Sequence, residues 1–211
     1  MSIIIRIIEK ILSIPNNWKI RQIRQQLGYC GKNVSFSDTY ICNPQNIFLY
    51  DEVNILPGFA FINYKGKFYM KAGSSAARNL TVITDLHTRE VGKHFKDLEL
   101  FYQHKNNKSL DVIIEEEVWI GANVSILPGV VVGRCSNIGT GAVLRNNVPP
   151  YSIVTGNPAK VVGFVFTPEE IVEHEKLIYP ESKRLSFDLL EKNYEKFFLN
   201  RLKEIKEFNK I

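Results

Sequence analysis

Histidine and cysteine, the side chains that most often carry acid–base or metal chemistry, are few in this sequence. Its 211 residues include four histidines and three cysteines, namely His87, His94, His104, His174, Cys30, Cys42 and Cys135. The histidines show no metal-ligand spacing, and no two cysteines form a CxxC pair. The pattern therefore indicates neither a zinc site nor a disulfide framework, and no metal is expected. A single imidazole can still act as a general base near neutral pH, because its unperturbed pKa is about 6.5.

His87 has the most distinctive position of the four histidines. It ends the segment VITDLH and precedes TREVGKHFKDLELFYQHKNNKSLD, a polar and charged stretch of residues 88–111. A connection of that length inside a rigid scaffold is usually either functional or disordered. We interpret the other three histidines as structural or solvated. Residues 88–111 are interpreted as an excursion, a long loop that extends away from the scaffold.

The elements that must position such a residue are short and repeat every six residues. From Ile114 the sequence divides into IEEEVW, IGANVS, ILPGVV, VGRCSN, IGTGAV and LRNNVP. The first position of each hexad is aliphatic, the second is often glycine, and the fifth is small or β-branched. Further hexads begin upstream at Leu49, Ile55, Met70, Ala76 and Val82, with a slip in register at residues 63–69. Repeats of this kind predict a parallel β-helix.

The geometry of such a helix explains the residue types. Each hexad makes one flat strand and a turn, three hexads close a triangular coil, and coils stack at about 4.8 Å. The first and fifth residues are expected to point into the prism, whereas glycine at the second position relieves crowding at the turn. Trp119 directly follows an inward position. Because successive side chains of a strand point to opposite faces, Trp119 should face outward.

The hexads, the run VWIGANVSILPG and the tail VPPYSIVTGNPAKVVG resemble those of the hexapeptide-repeat acyltransferases. The resemblance covers roughly residues 34–165 and is closest to the branch of galactoside, maltose, xenobiotic and polysaccharide O-acetyltransferases. It implies a left-handed parallel β-helix, a homotrimer, and acetyl-CoA as co-substrate in a groove between neighbouring prisms. Handedness comes from the resemblance alone.

The resemblance also implies roles for particular residues. It makes His87 the catalytic base and assigns the amide that orients the acetyl thioester to Ala122. Residues that align with the family's CoA contacts are Thr140, Arg145, Asn146 and Lys160. One departure is clear: the family's usual lysine–aspartate pair reads Asn146–Asn147 here, with Arg145 beside it. Arginine suits phosphate geometry and is a candidate replacement for that lysine.

Both ends of the chain lack the six-residue repeat and have helical sequence patterns instead. Residues 1–33 are expected to form an N-terminal helical segment, whose isoleucine-rich residues 1–14 are too short and too charged to span a bilayer. Packing on the domain or on a sister subunit is favoured for it, with a peripheral membrane helix as the alternative. A C-terminal helical extension is predicted for residues 166–211. Thr167 and Glu170 fit a capping box with Pro168 at the first helical position, and a second amphipathic helix is expected from about Phe187.

Composition leaves several functions open. A net charge of +5 suits an anionic ligand, but the scattered basic residues carry no nucleic-acid-binding signature. What the resemblance implies is an acetyltransferase, and we expect it to be cytoplasmic and to act on a sugar hydroxyl of a surface-polysaccharide or O-antigen building block, with work at the inner membrane face left open. The alternatives are N-acetylation of an amino sugar or sugar nucleotide, and acetylation of an antibiotic. A non-catalytic scaffold or a carbonic-anhydrase-like protein ranks below these.

Overall fold

The computed structural model describes residues 18–37, 39–86, 91–92, 94 and 108–208. Helix α1 covers residues 18–26, and short strands follow it. The first coil contains β1 (Tyr29–Cys30), β2 (Ser35–Phe36) and β3 (Thr39–Ile41), and the second contains β4 (Ile47–Leu49), β5 (Asn54–Ile55) and β6 (Phe59–Ile62). The third contains β7 (Phe68–Met70), β8 (Ser75–Ala76) and β9 (Thr81–Ile83). After a hairpin of β10 (Asp85–Leu86) and β11 (Lys108–Ser109), the fourth coil contains β12 (Val112–Ile114), β13 (Trp119–Ile120) and β14 (Ser125–Ile126). The fifth contains β15 (Val131–Val132), β16 (Asn137–Ile138) and β17 (Val143–Leu144).

The coils stack into three parallel sheets, one for each face of a prism. Sheet 1 has the order β1-β4-β7-β12-β15, sheet 2 contains β2-β5-β8-β13-β16, and sheet 3 has the order β3-β6-β9-β14-β17. Each strand thus pairs with the strand one coil away, as in Ala76–Ile120–Ile138 along sheet 2. The predicted parallel β-helix is confirmed, and its arrangement is consistent with left-handed coiling.

The core is the column of aliphatic residues that the hexads predict. All first-position residues from Ile114 to Leu144 are at most 1 % exposed, and Val118 and Val124 at the fifth position are equally buried. Every fully buried aliphatic side chain of this size contributes about 1.5–3 kcal/mol relative to exposure. Trp119 alternates with Ile120 and is 52 % exposed, as expected for an outward position.

The corner between sheets 1 and 2 repeats one unusual backbone conformation. In successive coils its left-handed residues, with φ between 54° and 71°, are Asn33, Glu52, Gly73, Glu117, Cys135 and Tyr151. The left-handed region normally favours glycine or asparagine, and other residues there cost roughly 1–2 kcal/mol. Glu117, Cys135 and Tyr151 therefore occupy this corner at a cost that other contacts must offset.

Glycine at the second hexad position is explained by the closeness of the next coil. A Cβ on Gly121 would lie 2.6 Å from the amide nitrogen of Thr140 and 2.9 Å from the carbonyl oxygen of Ile138. Both neighbours are backbone atoms of the following coil, so they cannot move aside without breaking the ladder. The glycine thus serves coil-to-coil stacking at the corner between sheets 2 and 3.

The predicted excursion of residues 88–111 falls between the third and fourth coils, and all of it except residues 91–92, 94 and 108–111 lies outside the described residues. Strands β10 and β11 pair antiparallel, with Leu86 opposite Lys108, and the Leu110 amide donates to the Thr84 carbonyl at 2.8 Å. Asp85 fixes the departing strand, because its carboxylate accepts from the amides of Tyr64 and Lys65 at 2.6 and 3.3 Å. The loop at 63–67 to which it bonds is where the hexad register slips.

The last coil is closed by a hairpin and the C-terminal helices. Strand β18 (Ser152–Thr155) extends sheet 2, and β19 (Lys160–Phe164) returns antiparallel to it. Helix α2 (Pro168–Ile178) begins at Thr167 with the predicted capping box, formed with Glu170. The predicted second helix is interrupted. Helix α3 (Phe187–Phe197) is followed by its cap residue Phe198, a 3-10 turn over Leu199–Arg201, and then α4 (Leu202–Phe208).

Helix α2 is docked on the prism through a buried polar contact. The hydroxyl of Tyr151 donates to Oε1 of Glu175 at 3.2 Å, and both residues are at most 1 % exposed. Burial raises the pKa of Tyr151 far above its usual value, which keeps the hydroxyl a neutral donor. Arg134 Nη1 lies 3.7 Å from the same carboxylate oxygen and compensates its charge. Among the described helices, none is both long and apolar enough to cross a membrane.

Candidate functional site

Ala122 and Thr140 hold equivalent positions in consecutive coils, at the corner between sheets 2 and 3. Ala122 follows β13 and Thr140 follows β16, and the Gly141 amide donates to the Ala122 carbonyl at 2.8 Å. Among the described residues, the Ala122 amide donates no hydrogen bond. A half-buried backbone N–H of this kind is available to a ligand oxygen.

Three other predicted residues converge on one groove at the C-terminal end of the prism. Arg145 and Asn146 follow β17, whereas Lys160 begins β19, and all three line a groove of about 280 Å³. Its floor is apolar, with Leu144, Val154 and Val161 among the lining residues. Arg145, Asn146 and Lys160 therefore line one groove, and their role in binding CoA stays a prediction.

The opposite wall of the groove comes from the C-terminal extension. Phe197 at the end of α3, Arg201 in the 3-10 turn and Glu204 in α4 line it. Arg201 is anchored to the prism, since its Nη1 donates to the Val161 carbonyl at 3.3 Å. The groove therefore exists only when the extension is packed on β19.

Charge in the groove is arranged around one carboxylate. Lys160 Nζ donates to Glu204 Oε1 at 2.7 Å, and Arg201 Nε donates to Glu204 Oε2 at 3.1 Å. Hydrogen bonds from Arg201 and Lys160 lower the pKa of Glu204 from 4.5 to about 2, so it is ionised at neutral pH. Two cations are thus held by one anion, and Arg145 adds a third positive charge to the same groove. An anionic group of a ligand would meet a net positive surface here.

The asparagine pair that departs from the family pattern has a structural use. The side-chain oxygen of Asn147 accepts from the Val131 amide at 2.9 Å, which ties the last hexad to sheet 1. Asn146 is exposed and lines the groove beside Arg145. The lysine of the usual pair is thus absent, and arginine is the only cation of the LRNN segment.

Comparison with known proteins identifies the family. A model described as bacterial transferase hexapeptide (six repeats) matches residues 111–146. The Saccharomyces cerevisiae protein named "Putative acetyltransferase YJL218W" is 30 % identical over 148 residues, which cover 69 % of this chain and 70 % of that protein. The chain belongs to the hexapeptide-repeat acetyltransferases.

Solved structures share the fold of this chain. A hexapeptide-repeat-containing acetyltransferase from Vibrio cholerae, solved in complex with acetyl-CoA, superposes with a TM-score of 0.61 at 20 % identity, over 71 % of this chain and 78 % of that one. A maltose O-acetyltransferase from Clostridium difficile gives a TM-score of 0.60 at 23 % identity, over 68 % and 73 %. At these sequence identities the similarity shows only that the chains share a fold.

The predicted base of this hexapeptide-repeat acetyltransferase, His87, lies outside the described residues, as do residues 1–14, the segment with the open membrane alternative. The neighbouring residue Leu86 is described and sits in β10, whose place is fixed by Asp85. Asp85 therefore supports the strand from which residue 87 follows.

Sequence analysis missed the groove residues of the extension, Arg201 and Glu204. The one available signal was the amphipathic pattern after Phe187, which predicts a face packed on the prism. That pattern names apolar positions and says nothing of which polar residues flank the contact. In this acetyltransferase the interruption at Phe198 turns Arg201 and Glu204 towards Lys160.

Proposed function

We propose that this acetyltransferase moves the acetyl group of acetyl-CoA to a sugar hydroxyl, in the assembly of a surface-polysaccharide or O-antigen building block. The observation that carries the proposal is the groove in which Arg145, Asn146 and Lys160 meet Arg201. Three cations around an apolar floor suit a ligand that is anionic at one end and carries flat, apolar parts, as CoA does.

The amide of Ala122 is the proposed contact of the acetyl thioester. An N–H that has no acceptor in the described part of the chain, at a corner of stacked coils, needs no reorganisation to donate to the thioester oxygen. Thr140 holds the equivalent position one coil further along the chain, before the groove residues in sequence. Its exposed side chain is proposed to contact the pantetheine arm. Arg145, Asn146 and Lys160 are proposed to hold the phosphates and adenosine.

His87 is proposed as the general base. A neutral imidazole takes the proton of the acceptor hydroxyl as its oxygen bonds to the acetyl carbon. The thiolate of CoA then leaves as the carbon–sulfur bond breaks, and the proton is returned to it. The thioester is already activated, so the chemistry asks only for positioning, proton transfer and charge stabilisation.

A homotrimer is proposed as the working unit, with the acetyl-CoA groove shared between prisms. The single chain exposes apolar side chains on its outer faces, such as Trp119 at 52 % and Leu110 at 39 %. Subunit contact would remove such surfaces from water. A cytoplasmic location, with the N-terminal segment near a membrane-bound glycan carrier, completes the proposal.

An acceptor screen tests the proposed reaction. Release of free CoA thiol would be followed with acetyl-CoA and four acceptor classes: neutral sugars, amino sugars, sugar nucleotides and chloramphenicol-type antibiotics. Turnover with a sugar that offers only hydroxyls supports the proposal. Turnover confined to amino sugars would replace it with N-acetylation, and turnover confined to the antibiotic would replace it with xenobiotic acetylation.

A binding measurement tests the groove separately. Arg145→Ala should weaken CoA binding by roughly tenfold or more, as expected for a lost charge-assisted hydrogen bond. Lys183→Ala is the matched control, because Lys183 is exposed and lies outside the groove. Equal CoA affinities of the two variants would show that CoA does not bind in this groove.

A further inference from the structure

A second cluster of chemically capable side chains lies away from the groove, where α2 crosses the left-handed corner of the prism. Glu117 and Cys135 occupy this corner in consecutive coils, and the Cys135 amide donates to the Glu116 carbonyl at 2.9 Å. His174 of α2 lies above them. One ligand atom from each of Glu117, Cys135 and His174 lies within 4.8 Å of the other two.

The distances within this cluster approach those of a metal site. Cys135 Sγ is 3.7 Å from Glu117 Oε2. Ligand bonds of about 2.0–2.3 Å in a tetrahedral zinc site place neighbouring ligand atoms roughly 3.5 Å apart. The cysteine–glutamate pair already has that separation. A side-chain adjustment that moves the ligand nitrogen of His174 by about an ångström would bring the third ligand to the same separation.

The donor set selects the kind of metal. A thiolate and an imidazole favour zinc-class ions over magnesium or calcium, which prefer all-oxygen sites. A carboxylate is the third common zinc ligand. The hydroxyl of Tyr179 lies 3.9 Å from Cys135 Sγ, so the fourth position borders a polar group that can hold a bound water.

The surroundings of the cluster are ordered and partly closed to solvent. Cys135 and His174 are half-buried, and the ring of His174 packs edge-on against Tyr151 at 6.0 Å and tilted against Phe166 at 5.3 Å. Arg134 lies over the ring of Tyr179 at 4.6 Å. Aromatic packing thus holds the imidazole next to Glu117 and Cys135 and leaves only a small adjustment for metal binding.

We propose that Glu117, Cys135 and His174 bind one zinc-class divalent cation that fastens α2 to the prism. Binding replaces the thiol proton of Cys135, which goes to solvent, with the metal–sulfur bond. The site is structural and is independent of the acetyl-transfer proposal. It holds the start of the C-terminal extension, whose later part forms one wall of the groove.

Metal content and spectroscopy of the full chain test the site. Protein saturated with zinc chloride and passed through a desalting column should retain about one zinc per chain. Cys135→Ser and His174→Gln should each lose at least nine-tenths of it. Cys42→Ser, at an exposed cysteine, and Glu173→Gln, on the same helix, should retain it and serve as matched controls.

Cobalt(II) in place of zinc gives a readout that needs no variant to fold. The unmutated protein should show a near-ultraviolet thiolate-to-cobalt charge-transfer band and the intense visible bands of tetrahedral cobalt. Chelation of the zinc form should also lower the midpoint of thermal unfolding. Absence of the thiolate band, or retention of equal zinc by Cys135→Ser, would overturn the proposal.

Discussion

Replacing Glu204 by glutamine should tighten the binding of CoA. Among the described residues that line the groove, Glu204 is the only acid, and its carboxylate accepts from both Lys160, at 2.7 Å, and Arg201, at 3.1 Å. A phosphate that binds these cations must first displace this carboxylate and then remain near its charge. Glutamine keeps the shape of the side chain and removes both penalties.

The size of the effect follows from exposure. The side chains of Lys160 and Glu204 are 46 % and 48 % exposed, so water screens their attraction. Exposed ion pairs of this kind change an equilibrium by about two- to five-fold. The dissociation constant of CoA for Glu204→Gln should therefore fall by about that factor, and the gain should shrink at high ionic strength.

Isothermal titration with CoA at low and high salt measures this. Glu207→Gln, an exposed glutamate on α4 that does not line the groove, is the matched control and should bind like the parent. Lys160→Ala should weaken binding, and by a larger factor when Glu204 is already glutamine. Weaker CoA binding by Glu204→Gln would refute the reasoning, because Glu204 would then organise the cations for the ligand instead of competing with it.

The same variant has a signature in acid. Because the pKa of Glu204 is lowered to about 2, its contribution to stability is fully present above the ordinary value of 4.5. That contribution is lost as pH falls from there through about 2. Glu204→Gln should therefore lose less stability over this window than the parent, as measured by thermal unfolding at successive pH values.

The remaining predictions concern the base, the scaffold and the ends. His87→Ala should lower kcat about 10²–10⁴-fold with little change in CoA affinity, and a variant that binds CoA and keeps more than about a tenth of kcat would contradict the assignment. Gly121→Ala should destabilise the fold, because its Cβ would meet backbone at 2.6 Å, whereas Gly163→Ala should be tolerated, its nearest contact being 3.7 Å; equal melting temperatures would count against the stacking argument. Tyr151→Phe should cost about 1–3 kcal/mol of unfolding free energy by leaving a buried carboxylate short of a donor, which denaturant titration would detect. Deletion of residues 1–14 should leave turnover on a soluble acceptor largely intact and the mass trimeric by light scattering; loss of turnover in a folded trimer would place this segment at the active site.

The sequence determined the prism because its core depends on one rule applied repeatedly. Each inward residue stacks on the equivalent residue of the next coil, three hexads along the chain. A period of six is therefore enough to predict that Ile120 and Ile126 are buried. The turn chemistry was equally local: glycine at the second position and the capping box at Thr167 depend on near neighbours in sequence or in the next coil. The assignment of Arg145 and Lys160 as CoA contacts came from family resemblance and stays a prediction.

Only the tertiary structure decided how the C-terminal extension meets the prism. Lys160 and Glu204 are 44 residues apart, and so are Cys135 and Tyr179, with no period linking either pair. Their contacts depend on the angle at which α2 docks and on the interruption at Phe198, which an amphipathic pattern does not encode. Repeats fix contacts between equivalent residues through identical local geometry, whereas a helix laid across a corner finds its partners through packing and charge that exist only once the chain has folded.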